Sequence, residues 1–240
     1  VHVLILSVDT SSPAGSVAIL RDEATLGVIS TRAEENYSSR IFRHLEFLLT
    51  DLTLKLADFD LFAVSAGPGS FTGLRVGLTA AKGWAEVYRK PAVGVSALEA
   101  VAFQARAGGA VLVPALDARR GQIYFGVYRT AAAGLALDGE EFVVMPGEFA
   151  DKLGTLAHSR DGAGGFSIVT PDASVVAVVS RLTSNLTAGS AGLEIVPSVL
   201  APSIGRIAHA RALRGDVNDA LTLDANYVRR TDAEMRWKDG

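Results

Sequence analysis

The sequence predicts an α/β protein of two related lobes, each a mixed sheet flanked by helices. Three observations carry this reading. Short apolar, β-branched runs alternate with segments of helical periodicity. One opening occurs twice: "LILSVDTSSPAGSVAIL" and "LVPALDARRGQIYFGVY" each read as apolar strand, Asp, short turn, Gly, strand. In both halves three strands in a row precede alternating helix and strand, the order of an α/β lobe with a mixed sheet. With 240 residues, 49% hydrophobic and 20% charged, the chain has a globular composition and the length for one large domain or two small lobes.

The elements follow in order. Val1–Asp9 is a β-branched run ending on an acid, and Gly15–Leu20 pairs with it as a hairpin across a turn at Thr10–Ala14. Leu26–Thr31 is a third strand. Ser38–Leu52 carries Ile41, Leu45, Leu48 and Leu52 at helical spacing, with Phe42 and Leu49 beside them. Leu61–Ser65 is a buried strand that leads through "SAGPGSFTGLRVGL" into a long helix, Phe71–Tyr88. Strand Ala92–Val95 and helix Ala97–Arg106 follow. The second half gives strands Val111–Asp117, Gly121–Tyr128 and Glu141–Met145, then a short helix near Gly147–Leu153. Strand Phe166–Thr170, helix Asp172–Leu182, strand Leu193–Val196 and helix Pro202–Leu213 complete it, with Gly/Ala-rich loops at Ala131–Gly139 and Asp161–Gly165. The expected division is a first lobe of residues 1–107 and a second lobe with a tail, 108–240.

Charge and cysteine content narrow the function. The net charge is −3, from 23 basic and 26 acidic residues, which argues against a protein that grips nucleic acid alone. A subunit of a larger nucleic-acid-modifying assembly stays open. With no cysteine there is no disulfide, thiolate metal site or cysteine nucleophile. The apolar run Val3–Val8 is too short for a signal peptide or a membrane span, so the expectation is a cytoplasmic protein without a membrane partner.

The glycine-rich stretch looks like a phosphate loop but lacks the spacing of one. Gly67, Gly69 and Gly73 give G-x-G-x-x-x-G, one residue longer than the dinucleotide fingerprint, and no Gly-Lys-Ser/Thr follows. Ser70 is a candidate N-cap, and free N–H groups behind it could hold an anion. At about 100° per residue, Gly73, Gly77, Ala80 and Trp84 form one stripe of the helix, with Leu74, Leu78, Ala81 and Ala85 beside it. Val76, Gly83 and Val87 widen this arc to roughly two-thirds of the circumference, more than one core-facing side requires. One face therefore packs on its own sheet and another meets a second element, which belongs either to this chain or to a partner. Phe47 lies off the Ile41/Leu45/Leu48/Leu52 stripe of the preceding helix.

Catalytic readings find few groups. The histidines are His2, His44, His158 and His209, no two of them four apart, so there is no helical pair for a metal, and each reads as surface or cap. Asp9 and Asp117 close the two equivalent strands and are the candidates for a metal–phosphate site. Read as structure instead, Asp9 is a cap that accepts backbone N–H bonds. Arg119 and Arg120 could meet phosphate or the acidic surface of a neighbour. Ser65, Ser70 and Ser96 lie near strand ends, none in G-x-S-x-G.

The segments "LSVDTSSPAGSVAIL", "AGPGSFTGLRVGLTAAKGWA", "VGVSALEAVA", "ALDARRGQIYFGVY" and "NYVRRTDAE" span most of the chain and resemble the TsaB (YeaZ) family. The resemblance implies two ribonuclease-H-like lobes of the actin/hsp70/sugar-kinase superfamily. It implies a non-catalytic scaffold subunit of the bacterial machinery that transfers a threonylcarbamoyl group to the adenosine next to the anticodon of tRNAs. The implied partners are a TsaD-like catalytic subunit and a TsaE-like P-loop ATPase, with tRNA met through the complex only, and a homodimer when the chain is alone. No cofactor would be bound by this chain alone, ATP and magnesium being used by the complex. The implied docking surface lies on the long helix and its predecessor: Gly73, Leu74, Arg75, Gly77, Leu78 and Ala81, with Phe42 and Phe47. The alternative is a small ATP-dependent kinase or ATPase of the same superfamily that uses Asp9 and Asp117.

Overall fold

A computed structural model describes residues 2–32, 37–106, 111–132, 134–158, 165–182 and 191–228. In chain order its elements are β1 (Leu4–Asp9), β2 (Ser16–Arg21), β3 (Ala24–Ser30), α1 (Tyr37–Asp51), β4 (Leu61–Gly67), α2 (Phe71–Tyr88), β5 (Ala92–Ser96) and α3 (Ala97–Ala102). Then come β6 (Val111–Asp117), β7 (Ile123–Phe125), β8 (Tyr128–Ala131), β9 (Gly134–Leu137), β10 (Phe142–Val144) and α4 (Pro146–His158). The series ends with β11 (Phe166–Thr170), α5 (Ala173–Leu182), β12 (Ala191–Ile195) and α6 (Ala201–Ala212). The chain divides into two compact units: Val1–Ala100 with Pro197–Asn226, and Val101–Val196 with Tyr227–Gly240.

The first unit is built on the sheet β3-β2-β1-β4-β5. β1 runs antiparallel to β2, with Asp9 opposite Ser16, and parallel to β4, with Val8 opposite Val64. Every residue of β1 and β4 is buried, because both faces of the sheet are covered; that is why each reads as a continuous apolar run. On one face Leu6, Val8, Phe62 and Val64 meet Ile41, Leu45 and Leu48 of α1 and Leu74, Leu78, Ala81 and Ala85 of α2. On the other face α6 packs on β1, β2 and β4. Its first turn is pinned to the sheet: Ser7 Oγ donates to Ala201 O (2.6 Å), and Ala201 N donates to Ser16 Oγ (3.1 Å). The segment after α6 continues across this unit. Asn218 bridges to Ala92, Leu223 enters the core, and Asn226 N donates to Ala66 O (2.7 Å).

The second unit repeats the topology. Its sheet runs β10-β7-β6-β11-β12, with β6 antiparallel to β7 and parallel to β11. Third, second, first, fourth and fifth strands thus stand in one order in both sheets, and the hairpin β8–β9 is an addition beside β6. Phe125 is the centre of its core, stacked on Phe142 at 5.3 Å and edge-on to Phe149 at 5.0 Å.

The structure departs from the expectations in four places. Gly121–Tyr128 is not one strand: β7 pairs with Ala115–Asp117 and β8 with Val111–Leu112, and Pro114, which has no N–H for the ladder, lies between the two stretches. The expected loop Ala131–Gly139 contains β9, which folds back on β8. Helix α3 stops at Ala102, where Gln104 N and Ala105 N make i→i+3 bonds that close the last turn. The division after residue 107 is not where the chain separates, because α6 and the segment to Asn226 complete the first unit's core rather than the second's. Most of the expected loop Asp161–Gly165, and the tail beyond Val228, lie outside the described residues. Among the described residues no helix is long and apolar enough to cross a membrane.

Candidate functional site

The glycines of the long helix serve this chain's own packing. Ser70 caps α2, accepting a bond from Gly73 N (3.3 Å), and Ser70 N donates to Ser11 O (2.7 Å) in the β1–β2 turn. The start of the helix therefore lies directly on that turn. A Cβ at Gly69 would strike the Ser11 carbonyl oxygen, one at Gly73 the Thr10 carbonyl oxygen, and one at Gly77 Thr10 Oγ1. Gly73 and Gly77, four apart, lie on one stripe of α2, and Gly69 lies in the loop just before the Ser70 cap; at all three only hydrogen fits against the turn. The second element met by α2 is thus the β1–β2 turn.

That contact closes over the strand-end acid. Asp9 is 1% exposed; its Oδ1 accepts from Ser11 N (2.9 Å) and Ser11 Oγ (2.6 Å). Among the described residues Asp9 Oδ2, Thr10 Oγ1 and Ser65 Oγ are buried without a hydrogen-bond partner. Burial pushes the Asp9 carboxyl above the usual carboxylate range, and the two Ser11 bonds pull the other way. The cavity beside Asp9, reaching Arg40 and His44, measures about 10 Å³, room for one water at most. Asp117 repeats the local geometry in the second unit, its Oδ1 accepting from Arg119 N (2.6 Å), while Oδ2 accepts from Ser174 Oγ (2.9 Å). Both acids fold back on the amide two residues ahead, as side chains that shape turns do. The kinase reading of Asp9 and Asp117 is accordingly not favoured.

His2 and His209 meet one carboxylate, Asp22, with His2 Nδ1 2.5 Å from its Oδ2. Among the described residues no three His, Asp or Glu side chains converge as metal ligands would. His44 is held below its usual range by burial and then by Arg40 and Arg43. His209, expected at the surface, is buried on α6 with Nε2 3.6 Å from Asp22 Oδ1.

What remains open is the outward side of α1 and α2, which pack against one another on the sheet. Phe42 and Phe47 of α1 are 48% and 61% exposed, and Phe71 and Val87 of α2 are 39% and 72% exposed. The Arg75 guanidinium lies 3.9 Å over the Phe71 ring, which holds the charge against an apolar surface. Phe42, Leu45, Glu46, Leu49, Thr50 and Leu54 line a surface groove of about 250 Å³. Of the eight residues expected at a docking surface, Phe42, Phe47 and Arg75 are on this side. Gly73, Leu74, Gly77, Leu78 and Ala81 are not, because they are buried in the first unit's core or against Thr10. Sequence reasoning missed Phe71 and Val87; at about 100° per residue Val87 lies opposite Leu78, whereas Phe71 lies on the Leu78 stripe and is exposed at the first turn of the helix.

Comparison with known proteins gives one consistent picture. The family model described as "TsaD: tRNA N6-adenosine threonylcarbamoyltransferase" matches residues 16–178. The tRNA threonylcarbamoyladenosine biosynthesis protein TsaB of Bacillus subtilis is 37% identical over 125 residues, 52% of this chain and 55% of that protein. The chain spans about half the length of the curated relatives it matches. The solved structure of YeaZ from Pseudomonas aeruginosa superposes with a TM-score of 0.74 at 26% identity, covering 94% of this chain and 99% of that one. A ROK family protein from Streptococcus pneumoniae shares the fold alone, with a TM-score of 0.50 at 10% identity over 88% of this chain and 99% of that one. At 24% identity or less these likenesses show the fold alone, two mixed sheets of one strand order flanked by helices.

Proposed function

The chain belongs to the tRNA N6-adenosine threonylcarbamoyltransferase (TsaD) family, on its TsaB (YeaZ) branch, and from that membership we propose that it is a non-catalytic partner subunit. The assembly it serves transfers a threonylcarbamoyl group to the adenosine next to the anticodon of tRNAs. The transfer site belongs to a TsaD-type subunit, and ATP and magnesium are used by the complex with a TsaE-type ATPase. This chain contributes contact area and binds no nucleotide by itself.

One observation supports this above the others. Gly69, Gly73 and Gly77 hold the start of α2 against the Thr10–Ser11 turn beside the buried Asp9, while Phe42 and Phe47 of α1 and Phe71 and Val87 of α2 stay exposed. Exposed aromatics next to an arginine are the residues that anchor protein contacts. The same surface pairs two copies of the chain when the TsaD-type subunit is missing, as an isologous contact would.

The test is size-exclusion chromatography with light scattering, run with and without a TsaD-type subunit. Phe42→Glu and Phe47→Glu alter exposed side chains, so they spare the fold. The expected outcome is a folded monomer that no longer co-elutes with the partner. Leu78→Glu is unsuitable, because Leu78 is 5% exposed and a charge there attacks the core. Co-elution of both phenylalanine variants at wild-type strength would remove this face from the proposal.

A further inference from the structure

Between β6 and β7 the chain turns through Arg119, Arg120 and Gly121, with φ of 60°, 52° and 74°. Gln122 N donates to Arg119 O (3.0 Å) across Arg120 and Gly121, and Ala118 N donates to Gln122 O (2.9 Å). A tight turn with positive φ at its centre selects Asn, Asp and Gly, because a Cβ is crowded there. Two successive arginines are a destabilising choice at such positions. The equivalent turn after β1 has no residue of positive φ and lies against α2. Here both arginines are exposed.

The turn is held from beneath. Asp117 Oδ1 accepts from Arg119 N, Asp117 Oδ2 accepts from Ser174 Oγ, and Asp117 N donates to Asp172 Oδ2 (2.8 Å). A strained turn braced by its neighbours points to a use for its side chains. Guanidinium forks match phosphate oxygens in pairs. Two arginines on one exposed hairpin tip present paired N–H donors suited to phosphate oxygens.

We propose that Arg119 and Arg120 form a contact for the sugar–phosphate backbone of RNA, the tRNA substrate of the assembly. This rests on the reading of the chain as a subunit of a tRNA-modifying complex. The contact positions RNA and carries no sequence preference.

The experiment measures binding of a fluorescently labelled, unmodified tRNA transcript over a salt series. It uses the full chain alone and mixed with a TsaD-type subunit, and co-elution of the two proteins is scored separately. Arg119→Asn with Arg120→Asn is expected to weaken RNA binding about tenfold at low salt and to lower the salt slope by about 1.4–1.8. The same double variant raises the thermal midpoint by about 2–4 °C, since Asn tolerates positive φ, so lost binding is not lost folding. Arg119→Lys with Arg120→Lys keeps most of the affinity. Unchanged affinity in the Asn variant overturns the inference, as does a wild-type chain that binds no RNA in either form. Loss of co-elution with intact RNA binding also overturns it and assigns the arginines to an acidic protein surface. Failure of wild type to co-elute sinks the proposed function instead, and the RNA readout on the chain alone still decides the role of the arginines.

Discussion

Asp9 shows how packing sets the state of an acid at a strand end. Its folded carboxyl titrates above the ordinary value of 3.8, so the folded chain binds that proton more tightly than the unfolded chain does. The penalty for holding the carboxylate is absent below the ordinary value and grows as pH rises through the raised one, so stability falls with rising pH. Asp9→Asn keeps the acceptor for Ser11 and removes the charge. Its thermal midpoint is expected to exceed the wild type's at pH 8, by roughly 2–4 °C per kcal/mol recovered, and the gap should narrow toward pH 4. Equal midpoints at pH 8 would refute the account. The acid at the strand end was legible in the sequence, as was the cap reading of it. Its closure was not, because that depends on Ser70 reaching back to Ser11 across the sheet. His209 was misplaced for a similar reason: a polar residue on an amphipathic helix does not announce that the helix is covered at that point.

Among the elements α2 is the most instructive. Its boundaries, Phe71–Tyr88, follow from the sequence because apolar residues keep the helical period and Ser70 caps the start. Which side faces inward does not follow. Small and apolar residues cover most of the circumference, and a glycine looks the same whether a partner or the chain's own turn approaches it. Two substitutions separate the cases. Gly73→Ala drives a methyl into the Thr10 carbonyl and is expected to cost about 3 kcal/mol in urea unfolding. Gly83→Ala meets nothing within 4 Å and is expected to stabilise by about 1 kcal/mol, as in any exposed helix interior. A loss at both sites of similar size would show that α2 packs differently. The hairpin β8–β9 was illegible for a different cause: its Ala and Gly residues carry little strand propensity, and backbone pairing alone makes the strands.

At the scale of the whole molecule, the repeated opening of the sequence foretold two sheets of one topology, because strand, acid and turn recur in the same order. The assignment of the last helix could not be read the same way, since an amphipathic pattern names a buried face but not the sheet that buries it. Ile204, fully buried on α6, tests the assignment: Ile204→Ala should cost about 2–4 kcal/mol, with the amide-exchange protection lost in β1 and β4 rather than in β6 and β11. Protection lost chiefly in the second sheet would reverse the conclusion. The placement of α6 also sets an order in time. Ribosomes add about 5–20 residues per second, so roughly 6–25 s separate the synthesis of Ala100 from that of Asn226. Throughout that interval one face of the first sheet has no cover, while the stretch Val101–Val196 is already made. The first sheet is therefore made early and covered late, and a nascent chain paused before α6 is the form of this protein that most needs a chaperone.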